Sequence, residues 1–159
     1  MEAAAQPLVV AVVGSPRRGG NTAVLVAAAL GELSARGARC ETVFLAQHDI
    51  APCLAHDGCA EFAACPLGDD AASVLDQVYA ADCLVLASPV YYENVSAQMK
   101  AFIDRNLFRY SHDEWLRATA IGLIAVNHVR AGSLPPNRFP SPHCLSGNEH
   151  NSPGVLESS

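Results

Sequence analysis

The stretch Leu8–Thr22, LVVAVVGSPRRGGNT, decides the fold. Leu8–Val13 is apolar without interruption, and a short run lacking polar alternation marks a strand buried on both faces, as in a parallel sheet. The Gly- and Pro-containing segment Gly14–Gly20 breaks that run. From Thr22 to Arg36 the spacing turns helical, with Leu25, Ala28, Ala29 and Leu33 on one side, and Gly37 follows as a suitable C′ residue. Strand, loop and helix in this order make the first half of a βαβ unit.

The same alternation continues outward. Arg39–Leu45 reads as a second strand, and a long loop leads to a helix over Asp70–Ala80. Cys83–Ala87 (CLVLA) is a third, apolar strand. Ser96–Leu107 places Met99, Phe102, Ile103 and Leu107 on one helical face, and Thr119–Val126 (TAIGLIAV) is a fourth strand. Strands alternating with helices predict an α/β doubly wound parallel sheet. In a sheet of order 2-1-3-4 the order in which strands are added reverses between strands 1 and 3, and ligands of such sheets bind outside the carboxyl ends of the strands at that switch point. The two most unusual loops of the sequence follow those two strands.

After Val126 the pattern stops. Residues 127–159 contain five prolines and neither a helical nor a strand period. The expected organisation is therefore a ligand-binding domain over 1–126 and an irregular Pro-rich tail over 127–159, with no fifth strand.

A chain of 159 residues, half of them apolar, suits one domain with one core. Its net charge of −6 argues against a general nucleic-acid binder, whose footprint would be basic. The opening MEAAAQP lacks a basic leader region and Leu8–Val13 is too short for a membrane span, so a cytoplasmic protein without membrane association is expected. Of the six cysteines, Cys40 and Cys83 fall in strands and read as core residues, Cys144 lies in the tail, and Cys53, Cys59 and Cys65 share one loop. An intracellular α/β core is a poor setting for a disulfide framework.

The first loop, GSPRRGGNT over Gly14–Thr22, leads straight into a helix. A helix start offers open N–H groups and partial positive charge, Ser15, Asn21 and Thr22 add hydroxyl and amide donors, and Arg17 adds a charged fork. A Walker loop would need Lys and Ser/Thr after Gly19, where Gly20 and Asn21 stand; a dinucleotide fingerprint would need Gly where Pro16 stands. A pocket for a terminal monophosphate remains, against the plainer alternative of a solvated turn with a helix cap. The second loop, SPVYYENVS over Ser88–Ser96, brings two adjacent tyrosines to the end of strand 3, suited to covering a flat ring or to closing the core.

GSPRRGGNT, followed by ADCLVLASPVYYENVSAQMKAFIDR over 81–105, resembles the flavodoxin-like NADPH-dependent FMN reductase family, including its iron–sulfur flavoprotein branch. The resemblance covers residues 8–126 and implies a flavodoxin-like sheet of order 2-1-3-4. It implies that Ser15, Arg17, Asn21 and Thr22 hold the FMN phosphate and that Pro89, Val90, Tyr91, Tyr92 and Asn94 line the isoalloxazine. No side-chain nucleophile or general base is implied, because the flavin carries the chemistry. The implied activity is electron transfer from NAD(P)H through FMN to a small-molecule acceptor of flavin or quinone type, in a homo-oligomer. The alternative is a non-enzymatic FMN electron carrier, with or without an iron–sulfur centre.

The branch's cysteine motif has a counterpart in residues 50–65, IAPCLAHDGCAEFAAC. Members carry Cys-x2-Cys-x2-Cys and a further Cys, which hold a [4Fe-4S] cluster. Here Cys53, His56, Cys59 and Cys65 occupy those places, with His56 where the second thiolate would be. The residues leave three alternatives: a cluster, zinc, or packing of the loop alone. The family also carries a further Gly-rich loop, a fifth strand and a last helix after strand 4; the Pro-rich tail departs from that pattern, so the chain is expected to be truncated or altered there.

Overall fold

The computed structural model describes residues 6–127. In chain order the elements are β1 (Leu8–Val13), α1 (Asn21–Ala35), β2 (Arg39–Phe44), α2 (Ala71–Tyr79), β3 (Cys83–Pro89), α3 (Ala97–Ser111) and β4 (Ala120–Val126), with short 3-10 turns at Leu45–Gln47 and Cys59–Glu61. The four strands form one sheet of order β2-β1-β3-β4, parallel throughout. This is the doubly wound α/β architecture that the alternation predicts and the strand order that the family resemblance implies. The expected tail and the question of a fifth strand fall on residues outside those described.

β1 shows why the apolar run matters. Its residues are buried from end to end, and they divide between the two faces with period 2. Leu8, Val10 and Val12 pack with Val74, Leu75 and Val78 of α2 and with Met99 and Phe102 of α3. Val9, Ala11 and Val13 pack with Val26 and Leu30 of α1. One helix therefore covers one face and two helices cover the other. Their first turns at α1 and α3 flank the end of β1 from opposite sides of the sheet.

α1 ends as expected. Gly37 takes a φ of +93°, and the amides of Gly37 and Ala38 bond back to the carbonyls of Ser34 and Leu33. α3 runs to Ser111 rather than stopping at Leu107. Its last turn is held by tertiary ion pairs, Arg109 to Asp76 of α2 and to Glu114, and not by the apolar period that the sequence reading followed. Among the described residues β4 has no strand on its outer side, and its Ile121 and Leu123 are exposed.

Candidate functional site

β1 and β3 lie side by side, with Val13 in register with Ala87. Both loops that leave their carboxyl ends open at the same edge of the sheet. Together they wall a cavity of about 800 Å³, lined by Ser15, Arg17, Gly19, Gly20, Asn21 and Thr22 from the first loop and by Pro89, Val90 and Tyr91 from the second. Val126 and Asn127 at the end of β4 complete it.

The first loop is shaped for an anion. Gly20 precedes α1 in extended conformation, and no side chain caps the helix. The amides of the first turn, which have no partner inside a helix, therefore stay available. Ser15 and Thr22 are buried although both carry hydroxyls. Ser15 Oγ accepts from the Arg17 amide at 3.2 Å, folding the loop back on itself. The two arginines divide: Arg17 lines the cavity, whereas the Arg18 guanidinium sits over the Phe44 ring, 5.6 Å from its centroid. An open helix start with hydroxyl, amide and guanidinium donors beside it fits a phosphate monoester.

The second loop is a tight turn. Tyr91 and Asn94 exchange backbone hydrogen bonds at 2.8 and 3.1 Å. The residues between them, Tyr92 and Glu93, have φ of 48° and 64°, left-handed values that cost energy for side chains of this size. The turn brings Tyr91 to the cavity and sends Tyr92 fully into solvent. Asn94 Oδ1 accepts from the Val95 amide at 2.8 Å. Of the nine residues that the resemblance implies for FMN, the structure gathers seven around one cavity (Ser15, Arg17, Asn21, Thr22, Pro89, Val90 and Tyr91), while Tyr92 and Asn94 are exposed and do not line it.

Three buried groups that the sequence reading passed over join the two loops. Gly14, at the end of β1, donates from its amide to the Ala87 carbonyl at 2.8 Å. Its own carbonyl accepts from Ser96 Oγ at 2.6 Å. Ser88 Oγ accepts from the Ser96 amide and donates to the Pro89 carbonyl, both at 2.9 Å. A Cβ on Gly14 would lie 2.7 Å from Ser96 Oγ and 2.8 Å from Met99 Cβ, so only glycine lets β1 approach α3 this closely. The signal available in the sequence was weak: small residues flanking a motif.

The chain matches the sequence profile of the NADPH-dependent FMN reductases over residues 7–137. It belongs to that family. Among curated relatives, an iron–sulfur flavoprotein of Methanocaldococcus jannaschii is 40% identical over 98 residues, covering 62% of this chain and 51% of that one. An iron–sulfur flavoprotein of Archaeoglobus fulgidus is 40% identical over 117 residues, 74% of this chain and 53% of the other. The chain spans about half the length of the curated relatives it matches. In fold, the NAD(P)H:quinone oxidoreductase of Methanothermobacter marburgensis superposes with a TM-score of 0.58 at 15% identity, over 84% of this chain and 88% of that one.

The four candidate ligands of the cysteine loop, Cys53, His56, Cys59 and Cys65, are not gathered into one group. Among the described residues no three His, Cys, Asp or Glu side chains come together as a metal-ion site. Cys53 borders a hollow with Ile103, Asn106 and Tyr110, whereas Cys65 borders another with Phe108, Arg109 and His112. His56 stands edge-on to Phe62, and Cys59 opens a 3-10 turn. The donors present do not form the set that a cluster needs, and no step is assigned to one.

What anchors the loop instead is Arg105 of α3, a buried cation that the sequence reading did not single out. Its guanidinium bonds Asp69 Oδ2 at 2.5 Å, the Ala51 carbonyl at 3.0 Å and Cys65 Sγ at 3.2 Å, tying both ends of the cysteine loop to one helix. Burial alone would raise the Asp69 carboxyl, but the hydrogen bonds from Arg105 and from the Ala51 and Ala71 amides outweigh it and hold the carboxyl below its ordinary range. Five cysteines, Cys40, Cys53, Cys59, Cys65 and Cys83, are free thiols. No helix among the described residues is long and apolar enough to cross a membrane.

Proposed function

We propose that this chain binds FMN across the β1–β3 switch point and acts as an NAD(P)H-dependent oxidoreductase toward a small acceptor of flavin or quinone type. The observation that carries the reading is the single cavity walled by an open helix start and by the Pro89–Tyr91 segment. FMN, when bound, supplies the redox chemistry, taking up hydride and passing electrons on. Ser15, Asn21, Thr22 and the first amides of α1 would hold the phosphate, with Arg17 adding charge. Pro89, Val90 and Tyr91 would wall the ring and keep water from its inner side. The protein's part is binding and orientation, and no side chain is assigned an acid, base or nucleophilic role.

Absorption spectra of the purified chain, with anaerobic additions of NADPH and NADH, test this. Flavin bands bleached by either nucleotide are expected. Bands that ignore both would favour a second reading, a non-enzymatic electron carrier, which the naming of the curated relatives as iron–sulfur flavoproteins supports. Iron and sulfide in stoichiometric amount in anaerobic protein would restore a cluster role to Cys53, His56, Cys59 and Cys65; amounts near zero are expected from the separated donors. A homo-oligomer belongs to the same proposal, since Ile121 and Leu123 on the outermost described strand are exposed. Light scattering that gives the mass of one chain would remove that part.

A further inference from the structure

We propose that Ser96 is a positioning residue which, through Ser88, sets the register between the phosphate loop and the ring loop; the proposal rests on the FMN reading above. The sheet fixes the two loops only as far as the Gly14 amide and the Ala87 carbonyl. Beyond that point the connection is made by two hydroxyls. Ser96 Oγ donates to the Gly14 carbonyl at 2.6 Å and accepts from the Met99 amide at 3.2 Å. Ser88 Oγ accepts from the Ser96 amide and donates to the Pro89 carbonyl, each at 2.9 Å.

Each hydroxyl has one proton, and each has one carbonyl to give it to, so the direction of every bond in the relay is fixed. Ser96 is wholly buried and Ser88 nearly so, with exposures of 0% and 6%, and no water is needed to complete the set. Neither serine lines the cavity. The relay therefore runs from the first residue of the phosphate loop, through the start of α3, to the first residue of the ring loop. The ring loop is held on its other side by the Val90 amide, which donates to the Val126 carbonyl at 2.8 Å. A ligand that touches both loops at once needs them in register, whereas a ligand that touches one can follow it.

FMN is anchored to both loops in this reading, whereas riboflavin lacks the phosphate and so loses the charged anchor in the first loop. The test is the ratio of their affinities in the full chain, measured by fluorescence titration. Ser96→Ala removes no contact to either ligand. It also removes the α3 cap, but a general loss of stability affects both complexes alike and cancels in the ratio. The preference for FMN over riboflavin is expected to fall on the order of tenfold, about what one hydrogen bond supplies. Ser88→Ala, which cuts the outer arm only, is expected to lower it by a smaller factor, and it carries the test if Ser96→Ala does not fold. Wild-type protein that binds the two flavins equally would overturn the phosphate assignment itself. A wild-type preference for FMN that survives intact in the folded variant would overturn the positioning role and leave the phosphate assignment standing.

Discussion

α1 and α3 both begin at the carboxyl edge of the sheet, one on each face, yet their first turns are finished differently. α3 is sealed by its own chain: Ser96 caps it, accepting from the Met99 amide, and lies wholly buried. α1 starts after Gly20 and has no side-chain cap, and its first turn opens into the cavity. A helix whose role is to hold the fold satisfies its amides internally. A helix whose role is to hold an anion leaves them to the ligand. The contrast separates a structural half of the site from a ligand half, joined through the Ser96–Ser88 relay, and variants away from that relay can be sorted by the half they touch.

The largest effect is expected on the structural side, at Arg105. Arg105→Met keeps much of the side-chain stem but leaves the buried Asp69 carboxylate without its cation, and breaking a buried pair this way costs about 3–5 kcal/mol. A thermal melt should show the loss, with protease cutting within residues 51–69 before the rest of the domain. Affinity for FMN, measured below the melt, should change little, because Arg105 does not line that cavity. Acid should loosen the same loop. The Asp69 carboxyl is held below its ordinary value of 3.8 in the folded chain, so the stability it adds is present above that value and is lost as pH falls through the lower folded value. Protease sensitivity of the loop that begins well above pH 4 in the wild type would contradict this anchoring.

On the ligand side, Asn21→Ala and Thr22→Ala each remove a donor at the open helix start. Hydrogen bonds to charged groups contribute about 1.5–3 kcal/mol, so FMN affinity should fall roughly tenfold or more for each. Riboflavin affinity and the melting temperature of the ligand-free protein should stay near wild type. Loss of riboflavin binding in step with FMN would show that the two residues shape the whole pocket and do not serve the phosphate.

The architecture was legible because its signal is local. An apolar strand such as LVVAVV and the helical spacing of Leu25, Ala28 and Leu33 announce themselves in neighbouring residues, whereas the strand order came from the family resemblance and not from the alternation. The lining of the cavity by Ser15, Arg17, Asn21, Thr22 and Pro89–Tyr91 was legible for the same reason, each being part of a contiguous loop. Tyr92 was not: whether a ring faces in or out depends on two left-handed residues, and Tyr-Glu in that conformation has no sequence signature. Arg105 and Ser96 were illegible for a different reason. Their partners lie 36 to 82 positions away, at Asp69 and Gly14, and neither period nor motif records such pairings. The cysteine loop left its alternatives open because a motif of ligand types is not yet a constellation: Cys53 and Cys65 border different hollows.

The smallest effect expected is also the most direct attack on the contrast between the helices: give α1 the cap that α3 has. Gly20→Ser supplies a hydroxyl at the N-cap position, where serine is better than glycine by only a few tenths of a kcal/mol. The backbone there is extended, with φ of −78°, so a side chain is tolerated in conformation. Space is tighter, since a Cβ would sit 3.2 Å from Arg17 Cβ and 3.3 Å from the Arg17 carbonyl, and the loop must give by a few tenths of an ångström. The ligand-free protein should therefore melt within a degree or two of wild type. FMN should bind several-fold more weakly, because the new hydroxyl takes an amide that the phosphate would otherwise use, and riboflavin should bind as before. If Gly20→Ser leaves FMN affinity unchanged, the open start of α1 is not where the phosphate sits, and the difference between the two helices is one of packing alone.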